Sequence, residues 1–289
     1  MREPKGVEFP LSVPRRLIAD LLHFSRRVPS IPLSRLMDVS ALSSARRTHP
    51  ARPSWSVIFM KAYAQVAMEH PPLRRALLEL PFQRMYEHPQ TNCSLAIERE
   101  FEGEAGVFFG MFRAPEGQTL GELQRSLVEF KNLPLEEIGF FRRMIRISRC
   151  PTIIRRFLWS MSLHVSGRAR AKRFGTFGVT TLGGAGVEQV HPLSPLTTTL
   201  TFGPIDAWGK VTVKIIYDHR VLDGAYVARR LVDLEEILNG MILEELRRGE
   251  LCEVLPLAPP PVTSNASLVL TPLSKVHRPS PSRNAGRGA

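Results

Sequence analysis

Residues 210–238 read KVTVKIIYDHRVLDGAYVARRLVDLEEIL. A β-branched, alternating run predicts a strand that ends at Tyr217. Asp218-His219-Arg220-Val221-Leu222-Asp223-Gly224 then forms a short polar loop, and the apolar spacing that follows predicts an amphipathic helix from about Ala225 to Leu238. Strand, loop and helix together set an imidazole at the C-terminal end of a strand, where loops carry side chains toward clefts more often than toward the core. Taken alone, the same residues also fit a polar turn in which Asp223 caps the helix.

Working outward, two further β-rich runs precede this one, at Thr176–Leu182 and Thr197–Phe202. Before them, polar and glycine-containing turn residues separate two expected strands, Cys93–Glu98 and Val107–Phe112. Helical spacing marks residues 10–28, Ser56–Glu69 (stopped by His70-Pro71-Pro72), and Thr119–Phe130 with Thr119 as N-cap. A short strand is expected over Pro32–Val39 and a short last helix over Met241–Arg248.

The chain has 289 residues, of which 43% are apolar and 23% charged, the balance of a folded globular protein. No apolar run approaches the ~20 residues that span a bilayer, and the N-terminus lacks a signal-peptide stretch. Cys93, Cys150 and Cys252 are odd in number and lie far apart. That pattern argues against a disulfide scaffold or a thiolate metal site, and for a reducing, cytoplasmic setting. The net charge of +12 is local: residues 139–174 hold ten basic residues and no acid, and without them 29 basic side chains face 27 acidic ones. Such a block attracts any polyanion, so a nucleic acid is not implied.

Asp218-His219-Arg220-Val221-Leu222-Asp223-Gly224-Ala225 resembles the HRxxDG signature of the acyltransferase (E2) catalytic domain of 2-oxo acid dehydrogenase complexes, within the chloramphenicol acetyltransferase-like superfamily. Three more segments resemble that family in the same order: Arg15-Arg16-Leu17-Ile18-Ala19; Ser56–Leu77 with Lys61-Ala62 and Glu69-His70-Pro71; and Gly175-Thr176-Phe177-Gly178-Val179-Thr180-Thr181-Leu182-Gly183. The resemblance covers about residues 10–250. It implies a two-layer α/β sandwich with a mixed sheet. By its boundaries, 1–9 is a flexible N-terminus, 10–251 a catalytic domain carrying a basic amphipathic insertion at 139–174, and 252–289 a disordered Pro/Ser-rich tail.

The chemistry so implied is acyl transfer between coenzyme A and a thiol such as dihydrolipoamide. A thiol with a pKa near ~8.5 is mostly protonated at neutral pH and needs a base, for which His219 is the candidate. The tetrahedral oxyanion needs a donor; register with the family assigns Thr180, with Thr181 one residue away as the alternative. By the same resemblance Asp223 steadies the loop through an ion pair with Arg15, and Gly224 gives the helix start room. The family assembles as trimers with the site shared between subunits, so a homotrimer is expected. No metal is implied. No lipoylation hairpin occurs in this sequence, so a lipoyl-bearing partner would act in trans.

Ile153, Ile154, Phe157, Leu158 and Met161 make an apolar stripe within the basic block. Three uses stay open for the block: packing on the domain or a neighbouring subunit, peripheral membrane contact through 139–174, or attraction of coenzyme A phosphates. The competing overall reading is a catalytically silent trimeric scaffold or membrane-associated interaction protein of the same fold.

Overall fold

The computed structural model describes residues 6–249, and the expected Pro/Ser-rich tail falls outside them. Residues 6–9 are exposed and without regular structure. The elements run α1 (Val13–Ser25), β1 (Ser30–Asp38), α2 (Ser40–Thr48), α3 (Trp55–Glu69), β2 (Arg75–Leu78), β3 (Arg84–Glu87), β4 (Asn92–Phe101), β5 (Glu104–Arg113), α4 (Leu120–Asn132), α5 (Gly139–Arg149), α6 (Thr152–Ser160), α7 (Gly167–Arg173), β6 (Phe177–Thr180), β7 (Thr198–Phe202), β8 (Lys210–Asp218), α8 (Gly224–Ile237) and α9 (Leu243–Arg248).

Local chemistry sets several ends. Ser12 accepts from the Arg15 amide at the start of α1, Ser54 caps α3, and Thr119 with Glu122 forms a reciprocal capping box on α4. Six strands form one mixed sheet in the order β1-β8-β7-β6-β4-β5; β6 runs parallel to both β4 and β7, and the other pairs are antiparallel. The mixed sheet is the expected architecture. Helix α3 is apolar nearly all round and buried along most of its length against one sheet face. There Phe59 stacks on Phe202 at 4.2 Å and Tyr63 meets Phe177 edge-on at 4.9 Å.

The second face carries a further, partial layer. The basic block is three helices, α5, α6 and α7: Ser166 caps α7 after a π-turn over residues 161–165. With α1 these helices form a second cluster around Phe24, Phe108, Phe141 and Trp159. Arg155, one of the ten basic residues of the block, is buried and holds Asp20 of α1 at 2.6 Å. Of the apolar stripe, Trp159 beside it is buried, whereas Ile153, Ile154 and Phe157 are exposed. No described helix is long and apolar enough to cross a membrane.

Candidate active site

β8 delivers Asp218 and His219 to one end of the sheet. Asp218 is buried and accepts from both the Arg220 amide and its guanidinium, and Arg220 also reaches Glu79 at 3.0 Å. That brace fixes the loop where His219 leaves the strand. The His219 ring lies edge-on to Tyr217 at 5.7 Å and is about half exposed. Its Nδ1 lies 3.0 Å from the Leu222 carbonyl. A carbonyl only accepts, so Nδ1 carries the proton and Nε2 keeps its lone pair free.

Asp223 stands at the start of α8 with its carboxylate 89% exposed and makes no capping bond; its Oδ1 is 3.8 Å from His219 Nδ1. The expected Arg15–Asp223 ion pair does not form. Arg15 instead holds Glu104 at 2.7 Å. The cause is topological: α1 packs on β5, whereas Asp223 follows β8, four strand spacings or about 19 Å away across the sheet. At Gly224 a Cβ would come within 3.1 Å of the Tyr217 hydroxyl, so the space that glycine leaves is taken by this chain's own tyrosine.

Thr180 ends β6. Its hydroxyl donates to Gln189 Oε1 at 3.0 Å and faces a cavity of about 620 Å³. The Thr181 hydroxyl donates to the Phe202 carbonyl and accepts from the Gly183 amide, so a turn already engages it. The cavity lies between the second sheet face and the helices above it. Its floor is small side chains, three of them hydroxylated (Ser94, Ala96, Gly178, Thr180, Thr199), and its walls are side chains of α1, α5 and α6, mostly apolar but with arginines on α5. Thr199 was not singled out from sequence. Its Oγ1 is buried on this floor with no hydrogen-bond partner, and the signal was a strand carrying three buried threonines where Val or Ile would pack better.

The structure does not bring His219 and Thr180 together within one chain. Thr180 pairs through Thr201 with Lys214, five positions before His219, a distance of about 17 Å along the strands at ~3.3 Å per residue. Two strand spacings across the sheet add to that. Four other histidines have structural partners: His70 with Asp233, His88 with Tyr86, His164 with Glu79, and His191 with Ser30.

No protein-family model matches the sequence, and no curated protein does. Solved structures do. A probable dihydrolipoamide acetyltransferase from Listeria monocytogenes superposes with a TM-score of 0.59 at 17% identity, covering 86% of this chain and 99% of the other. The chain has the fold of the 2-oxo acid dehydrogenase acyltransferase core. The truncated catalytic core of the 2-oxoacid dehydrogenase multienzyme complex from Thermoplasma acidophilum agrees at 0.55, with 16% identity over 81% of this chain and 99% of that one. Azotobacter vinelandii dihydrolipoamide acetyltransferase superposes at 0.58 with 17% identity, covering 83% and 94%. That structure was determined to probe a serine, a histidine and an asparagine in its catalytic mechanism.

Proposed function

We propose that the protein is an acyltransferase that moves an acyl group between coenzyme A and a thiol acceptor of the dihydrolipoamide kind, at a site completed by a second copy of the chain. The observation that carries this reading is the placement of His219: its Nδ1 lies 3.0 Å from the Leu222 carbonyl, which leaves Nε2 as the ring nitrogen available to act as a base at the end of a strand. In this mechanism Nε2 takes the proton from the incoming thiol, and the sulfur attacks the thioester carbonyl. The Thr180 hydroxyl, released from Gln189, donates to the oxyanion. Collapse expels the first thiolate, which recovers the proton from His219. Asp223 Oδ1 stands 3.8 Å from Nδ1.

The separation of Thr180 from His219 within one chain supports a site shared across a cyclic, heterologous interface, as in a homotrimer. The test is an acyl-coenzyme A/thiol exchange assay. His219→Ala and Thr180→Ala chains should each be inactive alone and regain activity when unfolded and refolded together. Recovery in neither mixing order removes the shared site, and wild-type exchange by His219→Ala removes the chemistry.

A second reading, a silent scaffold held to a membrane or partner through the basic block, is favoured by the exposure of Ile153, Ile154 and Phe157. Co-sedimentation with anionic liposomes in the absence of exchange activity would select it.

A further inference from the structure

The cavity beside Thr180 is larger than a short acyl group requires, and its lining has two distinct parts. Leu17, Ile18, Leu21, Phe109, Met144 and Trp159 form a continuous apolar wall. Arg142, Arg143, Arg146 and Arg173 also line it. Elsewhere in the basic block Arg149 pairs with Glu102, and Arg155 and Arg156 with Asp20. The four cavity arginines make no salt bridge among the described residues; Arg173 bonds only the Ser162 hydroxyl. Partial burial lowers the Arg173 pKa and the neighbouring charge of Arg143 lowers it further, so like charges crowd here without a counter-ion. The Thr199 hydroxyl on the floor, buried and unpartnered, is a second unsatisfied group. An apolar wall beside uncompensated cations and a lone buried hydroxyl is complementary to an amphipathic anion.

We propose that this cavity is an acyl-chain pocket, and that the substrate is a medium- to long-chain fatty acyl thioester of coenzyme A. The methylenes lie along the α1, α5 and α6 wall, and the carrier's phosphates meet the α5 and α7 arginines. The inference rests on the acyl-transfer reading for the identity of the thioester, but its test reads binding and needs no turnover. It also assigns the basic insertion a purpose: α5 and α6 are the wall that makes the pocket deep.

The experiment is calorimetric titration of the full chain with coenzyme A and with acetyl, octanoyl and dodecanoyl thioether analogues that cannot transfer. Burial of each added methylene should tighten binding by about fourfold until the pocket is full. Ala96→Trp, which fills the floor, should abolish the gain from chain length; Ala96→Phe is the milder version should the larger ring perturb folding. Arg143→Gln with Arg146→Gln should weaken every coenzyme A ligand by a similar factor. A series flat in chain length overturns the proposal, as does a steep series unaffected by either Ala96 variant. Dodecanoate binding as tightly as the dodecanoyl analogue overturns the thioester assignment. A steep series in a protein that exchanges no acyl group leaves the pocket standing and removes the transfer reading. Exchange with a flat series does the reverse.

Discussion

The two faces of the six-stranded sheet are built from the same strands and used in opposite ways. Toward α3 and α8, β4, β6, β7 and β8 present Cys93, Leu95, Phe177, Val179, Leu200, Phe202, Val213 and Ile215, all buried in one cluster. Toward α1, α5 and α6 the alternate positions are Ser94, Ala96, Gly178, Thr180 and Thr199. A strand in the middle of a sheet gains stability from large branched side chains on both faces, so small and hydroxylated residues on one face forgo burial. The helices above that face do not close the gap but hold a cavity open over it. The lesson is that packing energy is concentrated on one side and recognition on the other, so the two can be broken separately.

The largest effect should follow from opening the packed face. Phe59→Ala removes a fully buried ring stacked on Phe202 and should cost about 3–5 kcal/mol, lowering the melting temperature by roughly 10 °C. Ligand affinity of the still-folded fraction should be unchanged, as denaturant titration and calorimetry on one preparation will check. His219→Ala should do the opposite. Its ring is half exposed, so stability should be retained while exchange falls by a factor of about 10²–10⁴. Loss of both stability and activity in either variant would dissolve the division between the faces.

Thr180→Ala comes next, with an expected loss of about 10²–10³ in kcat and a melting temperature close to that of the parent. Thr180→Ser keeps the hydroxyl and should recover most of the rate. Unaltered kcat in the alanine variant would pass the donor role to another group on that floor, for which Thr199 is the nearest unpartnered hydroxyl.

Much of the packed face was legible in the chain. The apolar α3, the alternating β8, and the Thr119 cap are local patterns, and local patterns survive folding. The loop bearing His219 and Asp223 was legible for the same reason. Other features were not. The Arg15–Asp223 pair failed because the partner of a surface arginine depends on which strand its helix crosses, and α1 crosses β5. The β2–β3 hairpin and the short α2 carry too few residues for a periodic signal. The cavity itself is a tertiary void: Arg142 and Arg173 are thirty-one positions apart, and nothing in their spacing says that they face one space. What could have hinted at it was composition, namely three buried threonines in β7 and a glycine and threonine where β6 should be bulky.

The smallest predicted effect is a difference in how the two faces respond to acid. His88 is buried where the hairpin meets α7, held by Tyr86 at 2.9 Å and beside Asn92, which reaches the Ala171 carbonyl. Burial lowers its pKa, and Arg74 and Arg168 lower it further. His164, in the turn between α6 and α7, is likewise lowered first by burial, against the opposing pull of Glu79. A histidine whose folded pKa lies below its unfolded value of 6.5 binds protons better when the chain is unfolded. Its contribution is therefore complete above pH 6.5 and drains away as the pH falls below that value toward the folded pKa. Among the described residues of the packed side only His49 carries the same sign, and burial is its sole cause. Acid should accordingly loosen the helices over the cavity before it loosens α3. Hydrogen exchange at pH 7 and pH 5 should show protection lost first in α6 and α7, with the amides of α3 unmoved. His88→Gln, which cannot titrate, should flatten the dependence of melting temperature on pH across that interval. A variant whose curve runs parallel to the parent would show that acid acts elsewhere, and that the two faces do not differ in this respect.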